Sequence, residues 1–276
     1  MSTENLQNLN SLLIDAVLAS KKAADAIMDV YGSGFSVELK KDRSPLTLAD
    51  RRSHEIIAGR LTSCKLPILS EEGRDIPYSE RKAWGYYWLV DPLDGTKEFV
   101  KRNGEFTVNI ALIEKDRPVM GVILVPVKDI LYFAAEGTGA YKISDTSWIK
   151  NGTSLEELKG KAQRLPVKTE LNTRAFTAIA SRSHLSEETN SFLESLKKEH
   201  GEIEIVSAGS SLKFCLIAEG AADVYPRFAP TMEWDTAAGQ AIVEQAGGEV
   251  LQHESGEPLK YNKENLLNPW FIVRRS

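Results

Sequence analysis

The chain has 276 residues, of which 42% are hydrophobic and 26% charged, so it can bury a sizeable core. Its formal net charge of −5 gives no electrostatic reason to expect binding to nucleic acid or to an anionic membrane surface. No stretch approaches the roughly 18 apolar residues of a membrane span, and the polar N-terminus lacks the apolar core of a signal peptide. We therefore expect a cytoplasmic protein with no integral membrane segment, and peripheral association with the inner face of the cell membrane stays open.

The first elements are two helices separated by extended chain. Apolar residues recur at helical spacing over residues 6–30 and predict one long amphipathic helix. A half-buried strand is expected over residues 35–39. A second helix begins at Thr47 with a capping-box pattern. A short strand over residues 66–69 then delivers the acidic pair at residues 71–72.

A pair of aspartates follows the next predicted strand, residues 86–90. Asp91 and Asp94 are separated by a tight turn, and Pro92 is expected to end the strand ladder. The pattern is then helical over residues 96–104. Carboxylates that face the open N-terminus of a helix can hold a hard cation, while the helix amides can hold a phosphate. By itself such a motif is more often a surface turn.

The remainder of the N-terminal half is strongly β. Residues 106–113, 119–125 and 130–134 predict an antiparallel meander. The polar, Gly-punctuated segment over residues 145–161 is the best candidate for a boundary. We therefore predict an α+β N-terminal half over residues 1–150, which carries most of the candidate ligands.

Strands alternate with helices in the second half, residues 151–276, which is typical of an α/β arrangement. The expected strands cover residues 176–180, 203–206, 222–225 and 269–273. The expected helices cover residues 186–197, 210–219 and 235–245. The fold class is therefore α/β, with most of the acidic motifs in the first half and Asp235 in the second.

Three acidic motifs occur in order along the chain, at residues 68–73, 91–96 and 232–239. Together they resemble the magnesium-dependent, lithium-sensitive phosphatases related to inositol monophosphatase. The resemblance implies the layered αβαβα sandwich of inositol monophosphatase and fructose-bisphosphatase. It also implies two or three Mg²⁺ ions as cofactor.

The metal ligands follow from this resemblance. In these relatives a Glu of the first motif, both Asp residues of the second, a backbone carbonyl between them and the Asp of the third bind the metals. The matching residues are Glu71, Asp91, Leu93, Asp94 and Asp235. The residue types agree, because carboxylates without clustered Cys or His favour Mg²⁺ over zinc.

The resemblance also implies a mechanism, in which a water activated by the metal attacks phosphorus directly and no phospho-enzyme forms. Thr96, hydrogen-bonded to Asp50, would position the water and help to remove its proton. Glu72 is near enough in sequence to contribute. The amides of Gly95 and Thr96 would hold phosphate oxygens at the helix start. Glu71, Leu93, Asp94 and Asp235 would contact the substrate as well as the metals.

Further motifs, at residues 97–99, 181–184, 209–215 and 223–228, resemble the CysQ-type 3′(2′),5′-bisphosphate nucleotidases. This implies a small phosphorylated nucleotide as partner and removal of the 3′-phosphate from adenosine 3′,5′-bisphosphate. That compound is a product of sulfate assimilation and sulfotransfer. The related 3′-phosphoadenylyl sulfate is a possible second substrate.

A second phosphate, away from the metals, needs cations of its own. Lys213 and Arg227 flank the segment that leads into Asp235 and could provide them, because charged donors suit phosphate. Ser181 and His184 would lie nearer the nucleoside. Two alternatives stay open: the same chemistry on inositol monophosphate or fructose bisphosphate, and a catalytically silent relative that binds metal or nucleotide. The oligomeric state is not predicted.

Overall fold

The structure is a computed structural model that describes residues 3–32, 37–39, 45–167, 174–180 and 186–275. For residues 3–8, 37–39 and 45–47 it describes the backbone alone. Within these ranges, no helix is long and apolar enough to cross a membrane.

The chain alternates between helices and strands. The helices are α1 (Thr3–Gly32), α2 (Leu48–Leu61), α3 (Tyr78–Arg81), α4 (Thr96–Val100), α5 (Leu155–Lys161), α6 (Glu187–His200), α7 (Leu212–Glu219) and α8 (Glu233–Gln245). The strands are β1 (Val37–Leu39), β2 (Pro45–Thr47), β3 (Ile68–Ser70), β4 (Tyr86–Asp94), β5 (Thr107–Glu114), β6 (Arg117–Val125), β7 (Ile130–Ala135), β8 (Gly139–Ser144), β9 (Gln163–Arg164), β10 (Phe176–Ile179), β11 (Ile203–Val206), β12 (Val224–Arg227), β13 (Glu249–Gln252) and β14 (Phe271–Arg274).

Two mixed sheets carry the fold. The larger has seven strands in the order β3-β4-β5-β6-β7-β8-β9, and only its β3–β4 pair is parallel. The predicted meander is confirmed as β5 to β7, and β8, which was not predicted, continues it. The smaller sheet has five strands in the order β11-β10-β12-β14-β13, with β10 parallel to both of its neighbours. A separate antiparallel pair joins β1 and β2.

Helices cover both sheets, so that the layers alternate as α, β, α, β and α. Successive residues of β4 point to opposite faces. Trp88 and Val90 join the core under α1 and α2, whereas Tyr87 and Leu89 join the core shared with α7, α8 and the smaller sheet. A third core lies between the outer face of the smaller sheet and α6, around Leu193. The predicted αβαβα sandwich is confirmed.

Two glycines let α8 pack closely between its neighbours. A Cβ at Gly121 of β6 would lie 2.3 Å from the carbonyl oxygen of Ala238, and a Cβ at Gly239 would lie 2.4 Å from the Phe214 ring. Because neither neighbour can move far in a packed core, these contacts fix α8 against the larger sheet. The first turn of α8, which carries Asp235, is fixed with it.

Two sequence-based expectations are corrected around the central motif. Pairing of β4 with β5 shifts register between Asp91 and Asp94 and resumes at Asp94, so Pro92 forms an irregularity instead of ending the ladder. Helix α4 ends at Val100, not near residue 104, because Arg102 adopts a left-handed φ of 57°. The expected boundary segment contains α5, which begins with a Ser154–Glu157 capping box.

Strand β9 (Gln163–Arg164) extends the larger sheet beyond this segment by pairing with β8. Such a short strand of exposed polar residues leaves no alternating pattern to detect. Strand β13 was also not predicted. The division of the chain into halves at residue 150 stays a prediction.

Candidate active site

The tight turn at the end of β4, residues 91–94, is held from two sides. The hydroxyl of Ser53 on α2 donates to the carbonyl oxygen of Pro92 at 2.6 Å. Within the turn, the amide of Leu93 donates to Asp91 Oδ1 at 3.1 Å. Gly95 then takes a φ of 90°, which favours glycine, and begins α4. The turn therefore presents Asp91 and Asp94 from a rigid backbone.

Asp91 is almost fully buried in acidic surroundings. Burial, with the neighbouring carboxylates of Glu71, Asp94, Asp235 and Asp50, raises its pKa well above the ordinary value. Together these groups form what we call the acidic cluster, which consists of Asp50, Glu71, Asp91, Asp94 and Asp235. The structure thus brings together the carboxylates of three separate sequence motifs and of α2.

Thr96 lies beside Asp50. Its Oγ1 is 3.4 Å from Asp50 Oδ2 and 3.4 Å from the carbonyl oxygen of Leu93. Asp50 lies in the first turn of α2 and is 1% exposed, so its carboxylate points into the protein. The two side chains predicted to act as a pair are therefore within reach of one another.

Asp94 turns one oxygen towards α7. Its Oδ2 accepts from the amide of Ser211 at 2.7 Å and from the Ser211 hydroxyl at 2.8 Å. The side-chain amide of Asn109 lies 3.4 Å from the same oxygen. These donors come from β5, the neighbour of β4 in the larger sheet, and from the residue before α7, so they connect the end of β4 with its own sheet and with the helix layer that faces it.

Asp235 lies in the first turn of α8, where its Oδ2 accepts from the amide of Met232 at 2.9 Å. Burial and the neighbouring Asp94 carboxylate raise the pKa of Asp235 to about 8, although the hydrogen bond from Met232 opposes the rise. An ionised Asp235 therefore needs positive charge from its surroundings.

The carboxylates of the acidic cluster lie near one another, but they are not arranged as a complete set of ligands around a metal ion. Within the described ranges, no group of three or more His, Cys, Asp or Glu side chains has the arrangement of a metal site. Asp94 and Asp235 instead direct one oxygen each to Ser211 and Met232. Like charges repel at short range, which explains why these carboxylates turn to protein donors.

The two glutamates after β3 differ in their surroundings. The amide of Glu71 donates to the carbonyl oxygen of Val90 at 3.1 Å, and its carboxylate acts on Asp91. The negative charge of Glu72 instead favours protonated His54 and opposes the lowering of the His54 pKa by burial. His54 Nδ1 lies 2.9 Å from the Ser70 hydroxyl, so this histidine is a helix side chain bound to the end of β3.

A cavity of about 640 Å³ opens beside Asp94 and Asp235. Its lining also includes Gly95 and the two predicted cations, Lys213 and Arg227. The remaining polar lining side chains are Glu98, Lys101, Asn103, Glu105, Ser186, Thr189, Ser207, Ser210, Ser211, Tyr225, Thr231 and Thr236. Acidic and basic side chains thus share one cavity large enough for a nucleotide-sized ligand.

Lys213 and Arg227 lie in different surroundings within this cavity. Lys213 Nζ donates to the carbonyl oxygen of Ser210 at 2.7 Å. Burial lowers the pKa of Lys213 to about 8, while the Asp94 carboxylate opposes this and the Arg227 guanidinium adds to it. Arg227 donates to the carbonyl oxygen of Pro230 at 3.2 Å, and its buried Nε has no hydrogen-bond partner among the described residues. Ser181 and His184 lie outside the described residues.

Sequence reasoning did not assign a role to Ser211 or Asn109, although both contact Asp94. The motif at residues 209–215 was recognised, but the helix predicted over residues 210–219 placed Ser211 inside its first turn. Asn109 lies in the middle of a strand pattern and has no local signal. Only the tertiary structure brings these two side chains to the acidic cluster.

Sequence and structure comparisons find relatives along almost the whole chain. The model of the inositol monophosphatase family matches residues 8–270. The chain is 45% identical over 260 residues to 3′(2′),5′-bisphosphate nucleotidase CysQ of Salmonella typhimurium, covering 92% of this chain and 96% of that protein. Its fold is similar to the crystal structure of CysQ from Bacteroides thetaiotaomicron, with 54% identity, a TM-score of 0.89, and coverage of 96% of this chain and 97% of that one. It is also similar to extragenic suppressor protein suhB from Bartonella henselae, with 27% identity, a TM-score of 0.71, and coverage of 95% and 92%.

Proposed function

The chain belongs to the inositol monophosphatase family, and on that premise we propose that it removes the 3′-phosphate of adenosine 3′,5′-bisphosphate, giving AMP and phosphate. The observation that carries this proposal is the single cavity lined by Asp94 and Asp235 and also by Lys213 and Arg227. A substrate with one phosphate to be cleaved and another to be held suits such a lining. The names of the CysQ relatives support the same substrate class.

A divalent cation fits the chemistry of the acidic cluster. All its side-chain donors are oxygens, the ligands that Mg²⁺ prefers. Burial and the neighbouring carboxylates raise the pKa values of Asp91 and Asp235, so their ionised forms are disfavoured unless more positive charge is brought close to them. A bound cation provides that charge and favours the ionised forms.

We infer that two or three Mg²⁺ ions are held by Glu71, Asp91, the backbone carbonyl of Leu93, Asp94 and Asp235. When bound, Mg²⁺ lowers the pKa of a water and stabilises the charge on the leaving oxygen. The protein's part is to hold the ligands in place. The hydrogen bonds from Leu93 to Asp91 and from Met232 to Asp235 support that part of the proposal.

Thr96 and Asp50 orient the attacking water and take its proton. The Thr96 hydroxyl can accept a hydrogen bond from the water while it donates to Asp50, which lies 3.4 Å away. A hydroxyl alone is a poor base, so the carboxylate behind it is the final acceptor. Glu72 is the second carboxylate of this proposal. Its carboxylate also interacts electrostatically with His54.

The backbone amides of Gly95 and Thr96 are proposed to donate to oxygens of the 3′-phosphate. Gly95 lines the cavity, and its φ of 90° turns the chain into α4, which supports this role. Glu71, Leu93, Asp94 and Asp235 would then contact the same phosphate through the bound cations.

Lys213 and Arg227 are proposed to hold the 5′-phosphate. The buried Nε of Arg227 has no hydrogen-bond partner in the part of the chain that the structure describes, and a phosphate oxygen would satisfy it. The same contacts would hold the 5′-phosphosulfate of 3′-phosphoadenylyl sulfate as a second substrate. Ser181 and His184 complete the proposal as contacts to the nucleoside.

A substrate panel tests the proposed function. Phosphate release is measured with adenosine 3′,5′-bisphosphate, 3′-phosphoadenylyl sulfate, inositol monophosphate and fructose 1,6-bisphosphate, each with Mg²⁺ and with a chelator. We expect the highest kcat/KM with the bisphosphate nucleotide and none with the chelator. Faster turnover of inositol phosphate or of the sugar bisphosphate would reject the substrate assignment. No release from any of them would indicate a catalytically silent relative.

A further inference from the structure

Ser211 is the residue before α7, but it does not cap that helix. A serine at this position commonly accepts a hydrogen bond from a backbone amide in the first turn. Here Ser211 has helical dihedrals, and its side chain makes no capping hydrogen bond. The side chain is 2% exposed, so water does not account for its orientation. The hydroxyl is therefore directed to something other than its own helix.

Three other segments surround that hydroxyl. Ser211 Oγ lies 2.8 Å from Asp94 Oδ2, 2.8 Å from the carbonyl oxygen of Asp235 and 2.9 Å from Asn109 Nδ2. Asn109 can only donate through this nitrogen, so it occupies a lone pair of Ser211. The Ser211 hydroxyl has one proton, which it can donate either to Asp94 Oδ2 or to the carbonyl oxygen of Asp235. The carboxylate of Asp94 is the stronger acceptor because hydrogen bonds to charged groups are stronger.

The backbone before Ser211 is strained in a way that supports this contact. Ser210 takes a φ of 45°, which serine rarely adopts. At Gly209 a Cβ would lie 2.7 Å from the carbonyl oxygen of Glu105, so only glycine fits. Strained residues persist where the surrounding structure over-determines them, and they cluster at functional sites. This turn directs the Ser211 amide at Asp94 Oδ2, 2.7 Å away.

We propose that Ser211 is a positioning residue for Asp94. Its amide and its hydroxyl both donate to Oδ2, which fixes the carboxylate rotamer and directs the other oxygen, Oδ1, to the cation. Asn109 orients the Ser211 hydroxyl for this purpose. The inference rests on the proposed function, because it assigns Asp94 as a ligand.

The same residue links the two parts of the proposed substrate site. Ser211 is bound to Asp94 on one side and is two residues before Lys213, which lines the cavity with it. The distance between the reacting phosphate and the held phosphate is therefore set by a short rigid segment. Loss of the Ser211 hydroxyl should make the Asp94 carboxylate more mobile without separating it from α7, because the backbone amide of Ser211 still donates to Asp94 Oδ2.

The test measures metal binding without catalysis. Mn²⁺ takes the same carboxylate ligands as Mg²⁺ and is counted as free ion by electron paramagnetic resonance during a titration of the protein. Outer hydrogen-bond partners of metal ligands typically contribute 10–100-fold in affinity, so Ser211→Ala should raise the Mn²⁺ Kd by about 10- to 100-fold. Ser20→Ala is the matched control, since Ser20 is also fully buried and donates to Val17 in α1 on the opposite face of the larger sheet. Its Kd should equal that of the wild type.

A double-mutant cycle with Asn109→Ala gives a second readout that a merely structural loss would not reproduce. Asn109 Nδ2 lies 2.9 Å from the Ser211 hydroxyl but 3.4 Å from Asp94 Oδ2, so its main effect on Asp94 is expected to pass through Ser211. The Kd of the double variant should therefore be little above that of Ser211→Ala. Effects that multiply would overturn the proposal. If Ser211→Ala does not fold, Asn109→Ala must by itself weaken Mn²⁺ binding, and an unchanged Kd there overturns the proposal too.

The outcomes separate this inference from the proposed function. A wild-type protein that binds Mn²⁺ and hydrolyses the bisphosphate, with a Ser211→Ala variant of equal affinity, would reject only the role of Ser211. A wild-type protein that binds no Mn²⁺ would reject the metal-dependent function and the inference with it.

Discussion

Replacing Lys213 by Met should raise KM for adenosine 3′,5′-bisphosphate far more than KM for adenosine 3′-monophosphate, which lacks the 5′-phosphate. Met has a similar length and removes the ammonium from the cavity. Because burial lowers the pKa of Lys213 to about 8, the charged form costs folding free energy at neutral pH, and stability rises with pH between this value and the ordinary one of 10.5. We therefore expect the Met variant to fold without a large loss of stability.

The expected rise in KM follows from the loss of the Lys213 charge. A hydrogen bond to a charged group contributes about 1.5–3 kcal/mol, so KM for adenosine 3′,5′-bisphosphate should rise by roughly 10- to 150-fold at pH 7. KM for adenosine 3′-monophosphate, which lacks the 5′-phosphate, should hardly change. In the wild type, KM for adenosine 3′,5′-bisphosphate should likewise rise relative to that for adenosine 3′-monophosphate as pH rises through about 8, because Lys213 then becomes neutral. Between pH 7 and 9 the charged fraction falls roughly tenfold, while the phosphate group stays ionised.

The assay is steady-state phosphate release with both nucleotides from pH 6.5 to 9.5. Lys197→Met on the surface of α6 is the matched control, since Lys197 pairs only with Glu194 in the described contacts. The competing explanation is that Lys213 supports the strained turn through its bond to the Ser210 carbonyl. In that case KM or kcat would change equally for both nucleotides, and an equal change would refute the phosphate contact.

Three further predictions concern the reacting side of the site. Asp94→Asn should abolish phosphate release with little change in Tm, because the ligand charge is lost at nearly constant volume; retained activity with normal Mg²⁺ dependence would exclude Asp94 as a ligand. Thr96→Ala and Asp50→Asn should each lower kcat by about 10²–10⁴, and the double variant should be hardly worse than the worse single variant; full additivity would reject the relay. Li⁺ should inhibit at concentrations where Na⁺ does not, and a fully Mg²⁺-dependent enzyme that is indifferent to Li⁺ would contradict this.

Local patterns predicted most of the elements. The 3.6-residue period over residues 6–30 gave α1, and the β-branched runs after residue 106 gave the meander, since both depend on which face of an element is buried. The members of the acidic cluster were predicted because the three acidic motifs, and Asp50, resemble the corresponding residues of the inositol monophosphatase family. Their meeting in space around Asp91 follows from the fold and not from any one motif.

Contacts between distant segments could not be predicted from the sequence. The hydrogen bonds that Ser211 and Asn109 make with Asp94 join residues 15 to 117 positions apart, with no local trace in the sequence. Pro92 was expected to end β4 because it cannot donate to a ladder. In the structure a register shift accommodates it, and such a shift depends on the partner strand.

The identity of the nucleotide product tests the central claim most directly. Adenosine 3′,5′-bisphosphate is incubated with the protein and Mg²⁺, and the product is separated by chromatography against authentic adenosine 5′- and 3′-monophosphates. If Lys213 and Arg227 hold the 5′-phosphate while the acidic cluster serves the 3′-phosphate, the product is adenosine 5′-monophosphate alone. Formation of adenosine 3′-monophosphate, or of adenosine with two phosphates released at the same rate, would contradict the account.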